Sequence, residues 1–177
     1  MDRPFFSFNP HGLNGRDLPG TIEEMAEESL KILRKMCPAG PFWLGGFCNG
    51  AFVAHEMARI LSREGRKLHT SLLLIEITPV AYIDEAFQRP KPAAPVGSQT
   101  HKKWLLNEIF RMSGSYKPQK YDGKVVVIQS EENSVDESMI QSTWNSVAGN
   151  LEFYRMPGDH ISCMGRHVAD LVVILNT

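Results

Sequence analysis

The chain has 177 residues, one domain's worth, and its 42% hydrophobic and 22% charged residues are the balance of a globular protein with a sizeable core. Nineteen Lys and Arg against 20 Asp and Glu give a formal net charge of −1, which excludes the basic excess of a nucleic-acid binder. The longest apolar runs, Leu72–Ile75 and residues 125–128, fall far short of the ~20 residues a bilayer demands; Met1-Asp2-Arg3-Pro4 lacks the charged and apolar stretches expected of a signal peptide, and three cysteines without CxxC spacing predict a reduced cytoplasmic protein.

In chain order, residues 4–8 read as a short strand ending at the turn-forming Asn9-Pro10-His11-Gly12. A helix is predicted from Thr21, whose hydroxyl can cap the first turn while Glu24 reaches back to the Thr21 amide. Ile22, Met25, Ala26, Leu30 and Leu33 form its apolar stripe, and Cys37-Pro38 stops it. Residues 42–47 read as a strand covered on both faces. A helix follows from Asn49, with Gly65 as its C-terminal stop. Leu72–Ile75 is the next buried strand. Residues 79–120, with five prolines and one short helical piece around residues 104–112, have the character of a lid-like insertion. Residues 124–129 form a buried strand, residues 135–147 a helix, residues 151–156 a strand and residues 168–175 a closing helix. Strands alternating with helices in this way predict a single α/β domain over 1–177 with a mainly parallel sheet.

The chemistry gathers at Gly45-Gly46-Phe47-Cys48-Asn49-Gly50, between an apolar strand and a helix. That is the context of a nucleophile elbow, with cysteine in the G-x-S-x-G serine position. So tight a turn asks both flanking positions, Gly46 and Gly50, to lack bulk. The helix N-terminus after Cys48 offers free amides and a positive dipole end, which predict a lowered thiol pKa. The bland alternative, a small buried filler, is the commoner role of a free cysteine and fits Cys37 and Cys163.

Among six histidines, His160 is the candidate general base, because it follows a late strand through Pro157-Gly158-Asp159. His11 could line the site, His55 reads as a packed or exposed helix residue, and His69, His101 and His167 read as surface residues. Asp159 more naturally supports the loop than serves as the acid of a triad. Glu76, at the carboxyl end of Leu72–Ile75, is the favoured acid, with Glu131, Glu132 and Asp136 after the 124–129 strand as alternatives.

These motifs together resemble the thioesterase domains that end nonribosomal peptide and polyketide synthases. The resemblance runs through Arg3-Pro4-Phe5-Phe6 with Gly12-Leu13, the Thr21–Ala26 helix start, Gly40-Pro41-Phe42-Trp43-Leu44-Gly45-Gly46-Phe47 into Cys48, Glu56-Met57-Ala58, Tyr121-Asp122-Gly123 and Pro157-Gly158-Asp159-His160. It implies a three-layer α/β-hydrolase-type fold with a short lid. It also implies a partner, an acyl or peptidyl carrier domain whose phosphopantetheine presents the thioester, with no bound cofactor and no metal. Cys48 would take the acyl chain, His160 would act as base and then acid, and Glu76 would stand where the family usually carries aspartate. The Asn49 amide would donate to the oxyanion.

Cysteine in place of serine departs from the family. A thioester acyl-enzyme stays reactive toward amines, so release by aminolysis or strained-ring closure is expected rather than simple hydrolysis. The strands and the glycine-containing loop that precede Arg3-Pro4 in the family have no counterpart before Met1, so the fold is expected to lack its first strands and one oxyanion donor. Losing such a donor typically costs about 10²–10³ in rate. Two other readings compete with acyl-thioester processing: an impaired remnant that binds a carrier domain or acyl chain, and a small-molecule esterase.

Overall fold

A computed structural model describes residues 6–38, 40–77, 90–133 and 135–175. Four strands, β1 (Gly45–Phe47), β2 (Leu72–Ile75), β3 (Tyr121–Ser130) and β4 (Ala148–Met156), form one parallel sheet in the order β1-β2-β3-β4. Phe47 pairs with Ile75 and Ile75 with Ile128, so β1 and β2 end level along one edge and β3 runs on past them to Ser130. Five helices accompany them among the described residues: α1 (Ile22–Met36), α2 (Gly50–Arg63), α3 (Gln99–Ser115), α4 (Glu137–Asn145) and α5 (Val168–Ile174).

The period-2 alternation of strand side chains divides the core into two faces. Val125 and Val127 join Leu72, Leu74, Phe52, Met57, Ile140 and Trp144 in the larger cluster, beneath α1, α2 and α4. Val126 and Ile128 point the other way, to Ile75, Met156, Cys163 and Leu171 of α5. The parallel sheet is the one that the strand–helix alternation predicts, and the two helical layers over it make the three-layer α/β arrangement that the resemblance implies. Burying a side chain such as Leu74 in this way stabilises the fold by about 1.5–3 kcal/mol.

Several local expectations change. Part of the 4–8 strand lies outside the described residues; Phe6 and Phe8 are exposed and in no strand, with no strand beside them among the described residues. Thr21 caps α1 by accepting from the Glu24 amide, but Glu24 Oε2 accepts from the Gly20 amide at 2.6 Å, one residue before the expected donor. The 42–47 strand is a regular strand only from Gly45; before it, Phe42 makes an isolated bridge to Leu68 and Trp43 is exposed. Gly65 ends α2 as anticipated, in the left-handed region (φ 74°) with its amide on Ser62 O. Within the 79–120 segment, residues 79–89 lie outside the described residues. The expected short helix there is instead the 17-residue α3, because Ser98 Oγ accepts from the His101 amide and starts it earlier. That turn also buries His101, which the sequence had suggested was a surface residue.

Candidate active site

Among the described residues, two non-glycine residues have positive φ, Cys48 at 54° and Glu76 at 53°. Such backbone strain costs of order 1–3 kcal/mol and persists only where surrounding contacts hold it. Here each ladder runs one residue past its strand: the Cys48 amide donates to Ile75 O (2.9 Å) and the Glu76 amide to Ile128 O (2.9 Å). Because β1 and β2 end level, the two strained residues stand side by side at the carboxyl edge of the sheet. Cys48 then turns at once into α2, the Ala51 amide returning to Cys48 O at 3.0 Å.

The two elbow glycines differ. A Cβ on Gly46 would overlap the backbone of Gly50 and Ala51, so bulk is forbidden there. A Cβ on Gly50 would meet nothing within 4 Å, which corrects the expectation that both positions exclude bulk. The turn folds Gly46 against the start of the helix, while the Cβ direction of Gly50 leads away from it.

His160 lies beyond β4, in a loop that Asp159 organises by accepting from the Ile161 (2.8 Å) and Ser162 (2.7 Å) amides. This is the loop-supporting role expected of Asp159. His160 Nδ1 lies 3.0 Å from Glu76 Oε2. An ionised carboxylate accepts only, so Nδ1 carries a proton, and in the neutral imidazole Nε2 then keeps its lone pair. Glu76 is fully buried while the His160 side chain is 39% exposed, so the imidazole is supported from inside and reachable from outside. Its ring also packs on Phe47, the residue before Cys48, with centroids 4.8 Å apart.

Glu76 takes three donors among the described residues: His160, the Ser130 amide and Asn133 Nδ2. The alternative acids do otherwise. Glu131 and Glu132 are exposed, and their amides tie this loop to Met156 O and Gly158 O near His160. Asp136 caps α4 by accepting from the Ser138 amide. Asn133 was missed in the sequence, where an amide among three acids gave no signal.

Burial pushes the Cys48 thiol up; the Asn49 backbone amide, hydrogen-bonded to it, pulls the other way, and the nearby Glu76 carboxylate adds to the rise. The lowered pKa expected from the helix N-terminus is therefore reversed, because desolvation of a thiolate outweighs one amide donor. The remaining histidines sit elsewhere. His11 Nε2 lies 3.4 Å from Glu28, His55 is packed in the core on the buried face of α2, His69 lies tilted against Trp43 and His167 faces Asp170. No group of three or more metal-ligating side chains gathers among the described residues, and no described helix is long and apolar enough to cross a membrane.

Comparison with known proteins agrees with this architecture. The family model described as Thioesterase domain matches residues 3–120. Indigoidine synthase of Dickeya dadantii (strain 3937) is 38% identical over 79 residues, 44% of this chain but 5% of that protein. Malpibaldin synthetase of Mortierella alpina is 34% identical over 183 residues, 90% of this chain and 3% of that protein. The chain thus spans only a small part of the curated relatives it matches. The NocB thioesterase domain from the nocardicin cluster superposes with a TM-score of 0.68 at 24% identity, covering 90% of this chain and 74% of that one. The four-domain nonribosomal peptide synthetase AB3403 gives 0.73 at 19% identity, covering 94% and 17%. At these identities the structures share the fold. The match over residues 3–120 shows more: this chain belongs to the thioesterase domain family.

Proposed function

We propose that this domain processes acyl thioesters through a covalent intermediate on Cys48. The observation that carries the reading is the 3.0 Å hydrogen bond between buried Glu76 and His160, next to a cysteine in a strained strand-to-helix turn. An acyl or peptidyl chain arrives on the phosphopantetheine of a carrier domain. His160 Nε2 takes the Cys48 proton as the sulfur attacks the thioester carbonyl. The new carbon–sulfur bond forms at Cys48, the bond to pantetheine breaks, and His160 returns the proton to the departing thiol. Glu76 fixes the tautomer and stabilises the imidazolium. The Asn49 amide donates to the oxyanion.

A raised thiol pKa suits a base that acts during attack, rather than a thiolate–imidazolium pair formed in advance. Release of the thioester acyl-enzyme by an amine or by ring closure follows from its reactivity. Free acid as the sole product of a carrier-loaded substrate argues against that release.

The test is intact-mass analysis after incubation with an acyl-pantetheine thioester. A single acyl addition mapping to the Cys48 peptide, lost in Cys48→Ala and strongly slowed in His160→Ala, is expected. An unmodified wild-type chain sinks the enzymatic reading in favour of a binding remnant. Cleavage of simple esters with pantetheine thioesters ignored points to an esterase.

A further inference from the structure

Asn133 lies in the loop after β3, where three carboxylates offered themselves as acids, yet its amide is the group that reaches Glu76. Its orientation is determined by its surroundings. Asn133 Oδ1 accepts from the Val135 amide at 3.0 Å, so the NH₂ end must face inward. That NH₂ has two protons and two acceptors, Glu76 Oε2 at 3.0 Å and Gln129 Oε1 at 3.2 Å. Gln129 is turned the right way because its own Nε2 donates to Ile77 O at 2.6 Å. The Asn133 amide also donates to Ser130 O at 3.2 Å. A continuous chain therefore runs from the end of β2 through β3 and the following loop, and closes on Glu76.

Glu76 needs such support. Its backbone is strained and its carboxylate is buried. One and the same oxygen, Oε2, serves both Asn133 and His160, while Ser130 holds Oε1. Without Asn133, the only side chain holding Oε2 among these donors would be the imidazole it is meant to orient.

We propose that Asn133 is a positioning residue for the Glu76–His160 pair, pinning Oε2 so that it meets His160 Nδ1, with Gln129 as its outer support. This rests on the acyl-transfer reading for its catalytic consequence but not for its geometry. Titratable groups in contact with His160 or in its loop are Glu76, Asp159 and Cys163, with Arg166 beside Asp159. Among these groups, Glu76 is the one that Asn133 touches.

The experiment compares the full chain with Asn133→Ala and Asn133→Asp, using an acyl-pantetheine thioester as probe. Asn133→Asp is nearly isosteric and keeps the oxygen that accepts from Val135, but it sets an acceptor against Oε2 instead of a donor. Two readouts are taken: the low-field proton resonance of His160 Nδ1, and the Cys48 acylation rate separated from half-saturation. Both variants should shift the resonance or lose it to solvent exchange. Acylation at saturation should fall about tenfold in Asn133→Ala and at least as far in Asn133→Asp, with half-saturation within about twofold of the wild type. An unchanged resonance in both variants overturns the proposal whatever the rates do, as does an unchanged rate constant in both. A wild-type chain that shows the resonance but never acylates refutes the catalytic reading instead, and the resonance then decides on Asn133 alone.

Discussion

Gly46 and Gly50 stand equally far from Cys48, yet they answer to opposite steric demands. Adding a methyl group at Gly46 forces it into the backbone of Gly50 and Ala51, which cannot yield without opening the elbow. Gly46→Ala should lower the unfolding free energy by about 1–3 kcal/mol, as overpacking does. Gly50 opens α2 without positive φ and with empty space ahead of its Cβ, so Gly50→Ala should stabilise by up to about 1 kcal/mol through lower chain entropy. Denaturant titration of the two variants checks both signs; equal effects would contradict the geometry. Cys48 itself allows a second test. With burial pushing its thiol up, carbamidomethylation by iodoacetamide should be slow at neutral pH and keep rising through pH 9, where a preformed thiolate would give a plateau. The motif, the histidine loop and Glu76 as candidate acid could all be read from the residues, because each is a local pattern of residue type and strand end. The inverted thiol shift and Asn133 could not, since both depend on which groups a turn encloses.

At the scale of elements, the long apolar runs were the legible ones. Leu72–Ile75 forms β2 with the predicted bounds, and the α1 cap at Thr21 lies where a hydroxyl precedes a helical stripe. What failed were segments whose pairing partner decides the outcome, such as residues 42–44 and the described part of residues 4–8. Helix α3 is longer than its sequence suggests because the Ser98 cap that starts it closely follows a proline-rich stretch, residues 90–95. Its far end shows what fastens this segment to the elbow helix. Tyr116, the C-cap of α3, donates its hydroxyl proton to Glu56 Oε2 of α2 at 3.0 Å, and its oxygen lies 2.8 Å from His55 Nδ1. Arg59 clamps the same Glu56 through two hydrogen bonds, at 2.9 and 2.6 Å. Tyr116→Phe strips one acceptor from a buried histidine and one donor from a buried carboxylate. It should cost about 1–3 kcal/mol by denaturant unfolding. A loss below a few tenths would mean that the hydroxyl is dispensable to the α2–α3 junction.

For the whole molecule, that same network sets how the fold responds to acid. The Tyr116 hydroxyl has one proton, and Glu56, as a carboxylate, can only accept; the hydroxyl therefore gives its proton to Glu56 and accepts from His55 Nδ1–H. His55 Nε2 is buried with no hydrogen-bond partner among the described residues, so nothing receives a second ring proton; the ring is neutral in the folded state and edge-on to Trp144 and Tyr121. Burial lowers its pKa from 6.5 to about 4; the Glu56 charge opposes the fall and Arg59 assists it. For a base whose folded pKa is lowered, the unfolded chain binds the extra proton first. Stability is then intact above about pH 6.5 and drains away as the pH falls toward 4. Over that window the loss approaches about 3 kcal/mol. Glu56 acts in the same sense at lower pH. Burial alone would raise its carboxyl, but the hydrogen bonds from Arg59 and Tyr116, with the neighbouring positive charge, hold it below the usual range, so its contribution fades only in stronger acid. His11, lowered by burial against the pull of Glu28, adds slope in the upper window, and comparison with a variant removes that background. The wild-type chain should therefore lose stability between pH 6.5 and 4 more steeply than His55→Gln, the two curves running parallel above pH 7. Parallel curves throughout would show that His55 takes up its proton as readily folded as unfolded, and with that the neutral, hydroxyl-bound histidine at the centre of the core would be wrong.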